Sequence, residues 1–131
     1  MAVRVGKIII SSGGELPWEH EMFMARALAD AGYVVEFKNK DDKNLSADAY
    51  LNNVLFEFKS PEGKSKDCIE RNLKRAIKQS ENIVITSVRV KNIHDRSVQN
   101  ILIKRLKLKH GIKRMIFVDR KGNVIDINKM I

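Results

Sequence analysis

The stretch Ser46-Ala-Asp-Ala-Tyr-Leu-Asn-Asn-Val-Leu-Phe-Glu-Phe-Lys59 carries two carboxylates and an ammonium in a pattern that can hold a cation and act on an anionic substrate. Read as a strand, residues 54–59 send Val54, Phe56 and Phe58 to one face and Leu55, Glu57 and Lys59 to the other. One face is apolar, and the other sets a carboxylate beside an ammonium. Asn52-Asn53 separates this run from a shorter strand at 48–51, and asparagine tolerates the positive φ of a two-residue hairpin turn. Such a turn fixes the register: Leu51 opposes Val54, Tyr50 opposes Leu55, Ala49 opposes Phe56, and Asp48 opposes Glu57. Directly opposed side chains have Cβ atoms about 4.5–5.5 Å apart, so Asp48 and Glu57 repel unless positive charge joins them. Lys59 or another basic group can neutralise an exposed pair. A divalent cation between the carboxylates would instead use the conflict. Mg²⁺ suits that second case, being hard, oxygen-seeking and commonly held by one or two carboxylates plus phosphate and water.

A third carboxylate lies upstream. Pro17 opens a helix that runs to about Ala31 and stops at Gly32. At about 100° per residue, Glu19, Arg26 and Asp30 share a polar face, while Met24, Ala25, Leu28 and Ala29 form the opposite arc, with Ala27 at its edge. Glu21 falls near the centre of that apolar arc, and an inward carboxylate needs a partner. The partner is either a structural cation such as Lys59 or a shared metal ion. His20 lies at the edge of the same arc, where a partly packed histidine is the ordinary reading and substrate contact the sharper one.

The elements that must position these groups follow the same patterning. Residues 3–10 alternate as a strand, followed by a turn at Ser11-Ser12-Gly13-Gly14. Tyr33-Val-Val-Glu-Phe37 is a strand, and Lys38 to Lys43 a charged loop. Ser65 is placed to cap a helix lasting to about Ser80, with Ile69, Leu73 and Ile77 recurring every fourth residue. Ile83-Val-Ile-Thr-Ser87 reads as a buried strand. Asp95 or Ser97 caps a third helix carrying Val98, Ile101, Leu102 and Leu106, ended by Gly111. Met115-Ile-Phe-Val118 and Val124-Ile-Asp-Ile127 close the chain as a hairpin around Asp119-Arg-Lys-Gly-Asn123. Alternating helices and strands predict an α/β fold, a single domain over residues 1–131 with a mixed β-sheet flanked by helices.

Composition agrees with a packed domain, at 44% apolar residues. No apolar run approaches the roughly 18 residues that cross a bilayer, and residues 1–10 lack the pattern of a signal peptide. The lone Cys68 excludes an intramolecular disulfide and reads as helix packing. The 25 basic and 16 acidic residues leave a net charge of +9, which favours a polyanionic partner, nucleic acid before an anionic membrane.

In order along the chain, helix Glu21, Asp48 and Glu57-Phe58-Lys59 resemble the signature of PD-(D/E)XK nucleases. More narrowly, Ala29-Asp-Ala-Gly-Tyr-Val-Val-Glu-Phe37, Ser46-Ala-Asp48, Leu55-Phe-Glu-Phe-Lys-Ser-Pro-Glu-Gly-Lys-Ser65 and Ile69 to Gln79 resemble the C-terminal tRNase domain of CdiA toxins, a domain also seen in phage head-associated proteins. The resemblance spans roughly residues 17–127. Ala47 departs from it, where the wider signature often has a proline that is not a ligand. The resemblance implies a PD-(D/E)XK nuclease-like fold and hydrolysis of RNA, tRNA in particular. It further implies Mg²⁺ (or Mn²⁺) held by Asp48, Glu57 and Glu21, with the Phe58 carbonyl as a further ligand, and Lys59 orienting the attacking water. An acidic immunity protein over the site is implied as well, as is a cytoplasmic site of action reached as part of a secreted toxin.

The basic residues suggest where nucleic acid would lie. Free N–H groups at the start of the helix capped by Ser65, beside Lys64 and Lys66, make a seat for phosphate. Lys74, Arg75 and Lys78 extend positive charge along that helix, Gln79 is placed to reach toward the site from its last turn, and the resemblance to CdiA domains singles out Lys64, Arg75 and Gln79. Farther on, Lys104, Arg105, Lys107, Lys109, Lys113 and Arg114 form the densest basic stretch, suited to an RNA backbone or to the negative end of a helix dipole. Trp18, Tyr33 and Tyr50 are too scattered to predict a base-stacking platform. The same site is compatible with a DNA endonuclease, and the same fold with a catalytically silent nucleic-acid-binding or phage structural module. Histidine chemistry is disfavoured, because no two of His20, His94 and His110 are brought together by local geometry. No feature fixes an oligomeric state.

Overall fold

The computed structural model describes residues 6–10, 17–38, 48–108 and 111–131. The expected turn at 11–14, most of the charged loop at 38–43, Ser46, Ala47, Lys109 and His110 lie outside them, as does the first part of the strand expected at 3–10. Among the described residues, seven strands form one mixed sheet in sequential order. They are β1 (Lys7–Ile9), β2 (Val34–Phe37), β3 (Ala49–Leu51), β4 (Val54–Lys59), β5 (Asn82–Thr86), β6 (Arg114–Val118) and β7 (Val124–Asp126). Helix α1 (Glu19–Asp30) joins the parallel pair β1–β2, α2 (Lys66–Gln79) joins β4–β5, and α3 (Asp95–Lys107) joins β5–β6. The pairs β2–β3, β3–β4 and β6–β7 are antiparallel. A 3₁₀ turn at Ile127–Met130, absent from the sequence reading, closes the chain.

The sheet is covered on both faces. On one, Met24 and Leu28 of α1 pack on Val35, Phe37, Phe56, Phe58 and Val84. On the other, Ile69 and Leu73 of α2 and Val98 and Leu102 of α3 pack on Ile83, Ile85 and Phe117. Strand β5 supplies Val84 to the first layer and Ile83 and Ile85 to the second, which is why it reads as an uninterrupted apolar run. This is the α/β architecture that alternating periodicity predicts.

The hairpin that positions the acidic residues forms as expected. Asn52 and Asn53 adopt φ of 48° and 71°, the pair of positive values that a two-residue turn of matching twist requires. The turn is tied to its neighbour as well, since Val34 N–H donates to the Asn52 side chain at 2.8 Å and Asn52 N–H donates to the Val34 carbonyl at 2.9 Å.

Three local expectations are corrected. Helix α1 begins at Glu19 with Trp18 at its N-cap, so Pro17 precedes the helix rather than opening it. Helix α3 is capped at His94, not at Asp95 or Ser97. The Asp95 carboxylate is drawn into a tertiary clamp instead, accepting from Ser87 Oγ at 2.5 Å and from Arg120 Nη1 at 2.7 Å. Ser65 does occupy the N-cap of α2, but its side chain makes no capping bond.

Candidate active site

Strand β4 pairs antiparallel with β3 on one side and parallel with β5 on the other. Its Glu57 is buried at 2% exposure, an unusual position for a carboxylate. The β3–β4 ladder pairs Leu51 with Val54, Tyr50 with Leu55 and Ala49 with Phe56, in the predicted register. The regular ladder ends there, one residue short of the expected Asp48–Glu57 pair. Asp48 N–H instead donates to the Phe56 carbonyl at 3.1 Å, and the Asp48 carboxylate accepts from Phe58 N–H at 2.8 Å. A side-chain oxygen thus continues the bonding of β4 where the backbone of β3 leaves it. The backbone of Asp48 is held from its other side by Lys38, whose N–H donates to the Asp48 carbonyl at 3.1 Å.

The result still sets Asp48 against Glu57. Burial, then the hydrogen bond and the negative charge of Asp48, push the Glu57 carboxyl up to about 8, against the opposing pull of Lys59. Lys59 Nζ lies 3.2 Å from Glu57 Oε2, two residues along the same face. Glu57 Oε1 is buried without any hydrogen-bond partner. A buried carboxylate oxygen without a donor, next to a second carboxylate, is the arrangement that a hard cation relieves. The donor set fits a divalent ion of the Mg²⁺ type.

These groups open onto a cavity of about 360 Å³ lined by Trp18, His20, Glu21, Asp48, Glu57, Phe58, Lys59 and Gln79. Glu21 therefore reaches the same cavity, but one of its oxygens is engaged. Glu21 Oε1 accepts from Trp18 N–H at 2.9 Å, closing the first turn of α1. Among the described residues no three acidic, histidine or cysteine side chains stand close enough to hold one ion. Asp48 and Glu57 form the pair; Glu21 lines the same cavity from the first turn of α1. His20 lines it as well. Its imidazole is held below its ordinary pKa by burial and by the nearby Arg89, which favours the neutral ring. His94 is exposed at the start of α3, away from this cavity.

Of the residues expected to meet nucleic acid, Gln79 alone lines the cavity. Lys64 and Ser65 sit at the opposite end of the 14-residue α2, about 20 Å along its axis. Arg75 and Lys78 are exposed on the outer face of that helix. Lys104 joins Lys66, Glu70 and Ser97 in a separate groove between α2 and α3. Arg105 turns to Glu70 at 3.6 Å with its side chain only 18% exposed, while Lys107 is open to solvent. Sequence reasoning missed Arg89 and set Trp18 aside. Trp18 is 61% exposed at the cavity rim with its ring edge-on to His20, 5.6 Å between centroids. Its position directly before the helix that carries Glu21 was the available signal. Arg89 offered none, because only the folded chain brings the end of β5 to the end of β4.

The fold and this site define an α/β domain with a paired-carboxylate and lysine cavity on its central hairpin. The contact-dependent growth inhibition CdiA C-terminal domain family matches residues 45–124, and the chain belongs to that family. A chain of the CdiA-CT/CdiI toxin and immunity complex from Burkholderia pseudomallei shares the fold, with a TM-score of 0.69 at 17% identity, covering 89% of this chain and 96% of that one. No curated protein matches the chain. No helix among the described residues is long and apolar enough to cross a membrane.

Proposed function

We propose that the protein is a Mg²⁺- or Mn²⁺-dependent endoribonuclease of the PD-(D/E)XK type that cuts tRNA. The observation that carries this reading is the unpaired Oε1 of buried Glu57, set beside Asp48 and backed by Lys59 on its other oxygen. Asp48 and Glu57 would hold the ion, with the Phe58 carbonyl as a further ligand. When bound, such an ion polarises a phosphate oxygen and lowers the pKa of water.

The chain's own groups supply the rest. Phe58 N–H fixes the Asp48 carboxylate in place at 2.8 Å, so little reorganisation is needed when substrate arrives. Lys59, confined beside Glu57, orients the attacking water and stabilises negative charge that develops on the phosphate. Glu21 presents its remaining oxygen to the cavity and orients water there. In the hydrolysis, a water oxygen bonds to phosphorus, the bond to the leaving ribose oxygen breaks, and that oxygen takes up a proton. RNA as substrate is supported by the +9 charge and by the cations on α2 and α3, and tRNA by the resemblance to CdiA tRNase domains. An acidic immunity protein that covers the site fits the same charge, and the similar chain comes from a toxin and immunity complex. Delivery into a target cell as part of a larger toxin is supported by the family, and action in that cell's cytoplasm fits the same reading.

The test incubates the protein with tRNA, single-stranded RNA and duplex DNA, with Mg²⁺ or with EDTA, beside Glu57→Ala and Lys59→Ala. Cleavage of tRNA that needs Mg²⁺ and both side chains is expected. Preferred cleavage of duplex DNA would replace the reading with a DNA endonuclease. Salt-sensitive binding without cleavage would replace it with a silent binding module.

A further inference from the structure

A second cavity adjoins the carboxylate site. Glu19, His20, Phe23, Val88 and Arg89 enclose about 230 Å³, and His20 lines both spaces. This is smaller than the roughly 300–1,000 Å³ of sites that take a whole small ligand, and is sized for part of one. Its walls mix two chemistries. Val88 is 37% exposed and Phe23 only partly covered by the core beneath it, which leaves apolar surface facing water next to a polar site. Arg89 is held rigidly at the other wall. Its Nε donates to Ser60 Oγ at 3.0 Å, its Nη2 to the Ser60 carbonyl at 2.7 Å and its Nη1 to Glu62 at 3.2 Å. Those bonds use three of the five N–H donors of a guanidinium and leave two for a ligand. Ser60 directly follows Lys59, so the guanidinium is anchored to the strand end that carries the site ammonium.

We propose that this groove is the subsite for the nucleoside next to the cleaved phosphodiester. The base lies against His20, Phe23 and Val88, and Arg89 gives its two remaining donors to the flanking phosphate. An aromatic and apolar wall accepts any base by its π-face, and a fixed guanidinium grips phosphate through paired donors. The subsite requires an unpaired nucleotide, because a stacked base in a duplex cannot enter a groove of this size. The inference rests on the nuclease reading, which supplies the phosphodiester in the neighbouring cavity.

Trp18 is the single tryptophan of the chain and its ring touches that of His20, so its fluorescence reports on this wall. The test titrates the intact protein with adenosine 5′-monophosphate and with ribose 5-phosphate, which keeps the sugar and phosphate but lacks the base. Adenosine monophosphate is expected to change Trp18 emission and to bind about tenfold more tightly than ribose 5-phosphate. Val88→Ser, neutral and at an exposed position, is expected to abolish that tenfold preference while changing ribose 5-phosphate binding less than twofold. Arg89→Gln is expected to weaken both ligands. Equal affinity for the two ligands, or a base preference that survives Val88→Ser, would overturn the subsite. Cleavage of tRNA by the same preparation keeps the two readings separate. Cleavage with no base preference leaves the nuclease and removes the subsite; base preference with no cleavage of any nucleic acid removes the nuclease, and with it the subsite's place beside a cleaved bond, and leaves a nucleotide-binding groove.

Discussion

The Asp48 carboxylate accepts the backbone N–H of Phe58 at 2.8 Å, which ties one acidic residue of the site to the strand that bears the other. Phe58 sits between Glu57 and Lys59, and its own ring packs edge-on against Phe37, 5.9 Å away. The hydrogen bond therefore links the charged face of β4 to the apolar layer beneath it. Asp48 has two separable jobs, one structural and one electrostatic.

Asparagine keeps the acceptor oxygen and removes the charge. Asp48→Asn is expected to melt within a few degrees of the parent protein while losing cleavage on the order of 100-fold or more. Asp48→Ala leaves the Phe58 N–H without its partner and is expected to cost about 1–3 kcal/mol of stability as well. Thermal melts run beside the cleavage assay distinguish the two. Equal destabilisation by both variants would show that the hydrogen bond does not hold the strand.

Glu57 sets a pH dependence whose sign follows from its burial. Its carboxyl is held up to about 8 in the fold, against 4.5 in the unfolded chain. Between those values the folded protein without divalent ions binds a proton that the unfolded chain does not, so its stability falls as pH rises through the window. Below 4.5 this group makes no difference. Urea unfolding in EDTA is expected to give lower stability at pH 8 than at pH 5, with Glu57→Gln flattening the slope. A divalent ion requires the charged form, so its affinity rises over the same window as a proton is released. Calorimetry showing tighter Mg²⁺ binding at pH 6 than at pH 8 would contradict the assignment.

Among the described residues, Lys59 is the cation that pulls the Glu57 carboxyl back down. Lys59→Met is expected to raise the titration of Glu57 further, visible by carboxyl NMR, and to reduce cleavage about 10²–10³-fold. An unchanged titration would separate Lys59 from the buried pair.

The hairpin turn is a conformational test. Asn53 holds φ of 71°, which a β-branched residue adopts only with strain. Asn53→Val is expected to cost about 1–2 kcal/mol and to lower cleavage through the displaced register of Asp48. Asn53→Gly is expected to preserve both. Denaturant melts and the cleavage assay read the outcome.

The basic residues of α3 divide by partner. Lys104 is exposed in the groove between α2 and α3, so Lys104→Glu is expected to weaken RNA binding and to flatten its salt dependence without changing stability. Arg105 is mostly buried against Glu70, so Arg105→Ala is expected to act chiefly through stability. Binding isotherms at two salt concentrations, set beside thermal melts, check the pair.

The sequence by itself determined the elements, the hairpin and the face on which Asp48, Glu57 and Lys59 lie. These follow from local rules: alternation along a strand, periodicity along a helix, and the positive φ that Asn52 and Asn53 accept. Family membership was legible for the same reason, since its quoted stretches run through that hairpin and α2. Tertiary structure alone decided how deep Glu57 is buried, that Asp48 bonds a backbone N–H instead of completing the ladder, and that Glu21 closes a helix turn. It also brought Arg89 to Ser60 across 29 positions of sequence, drew Asp95 from its expected cap to Arg120, and put Gln79 but not Lys64 in the lining of the site cavity. Spacing along a chain constrains neighbours within one element; burial and pairing between elements depend on which surfaces meet, and those are set only when the whole sheet is covered.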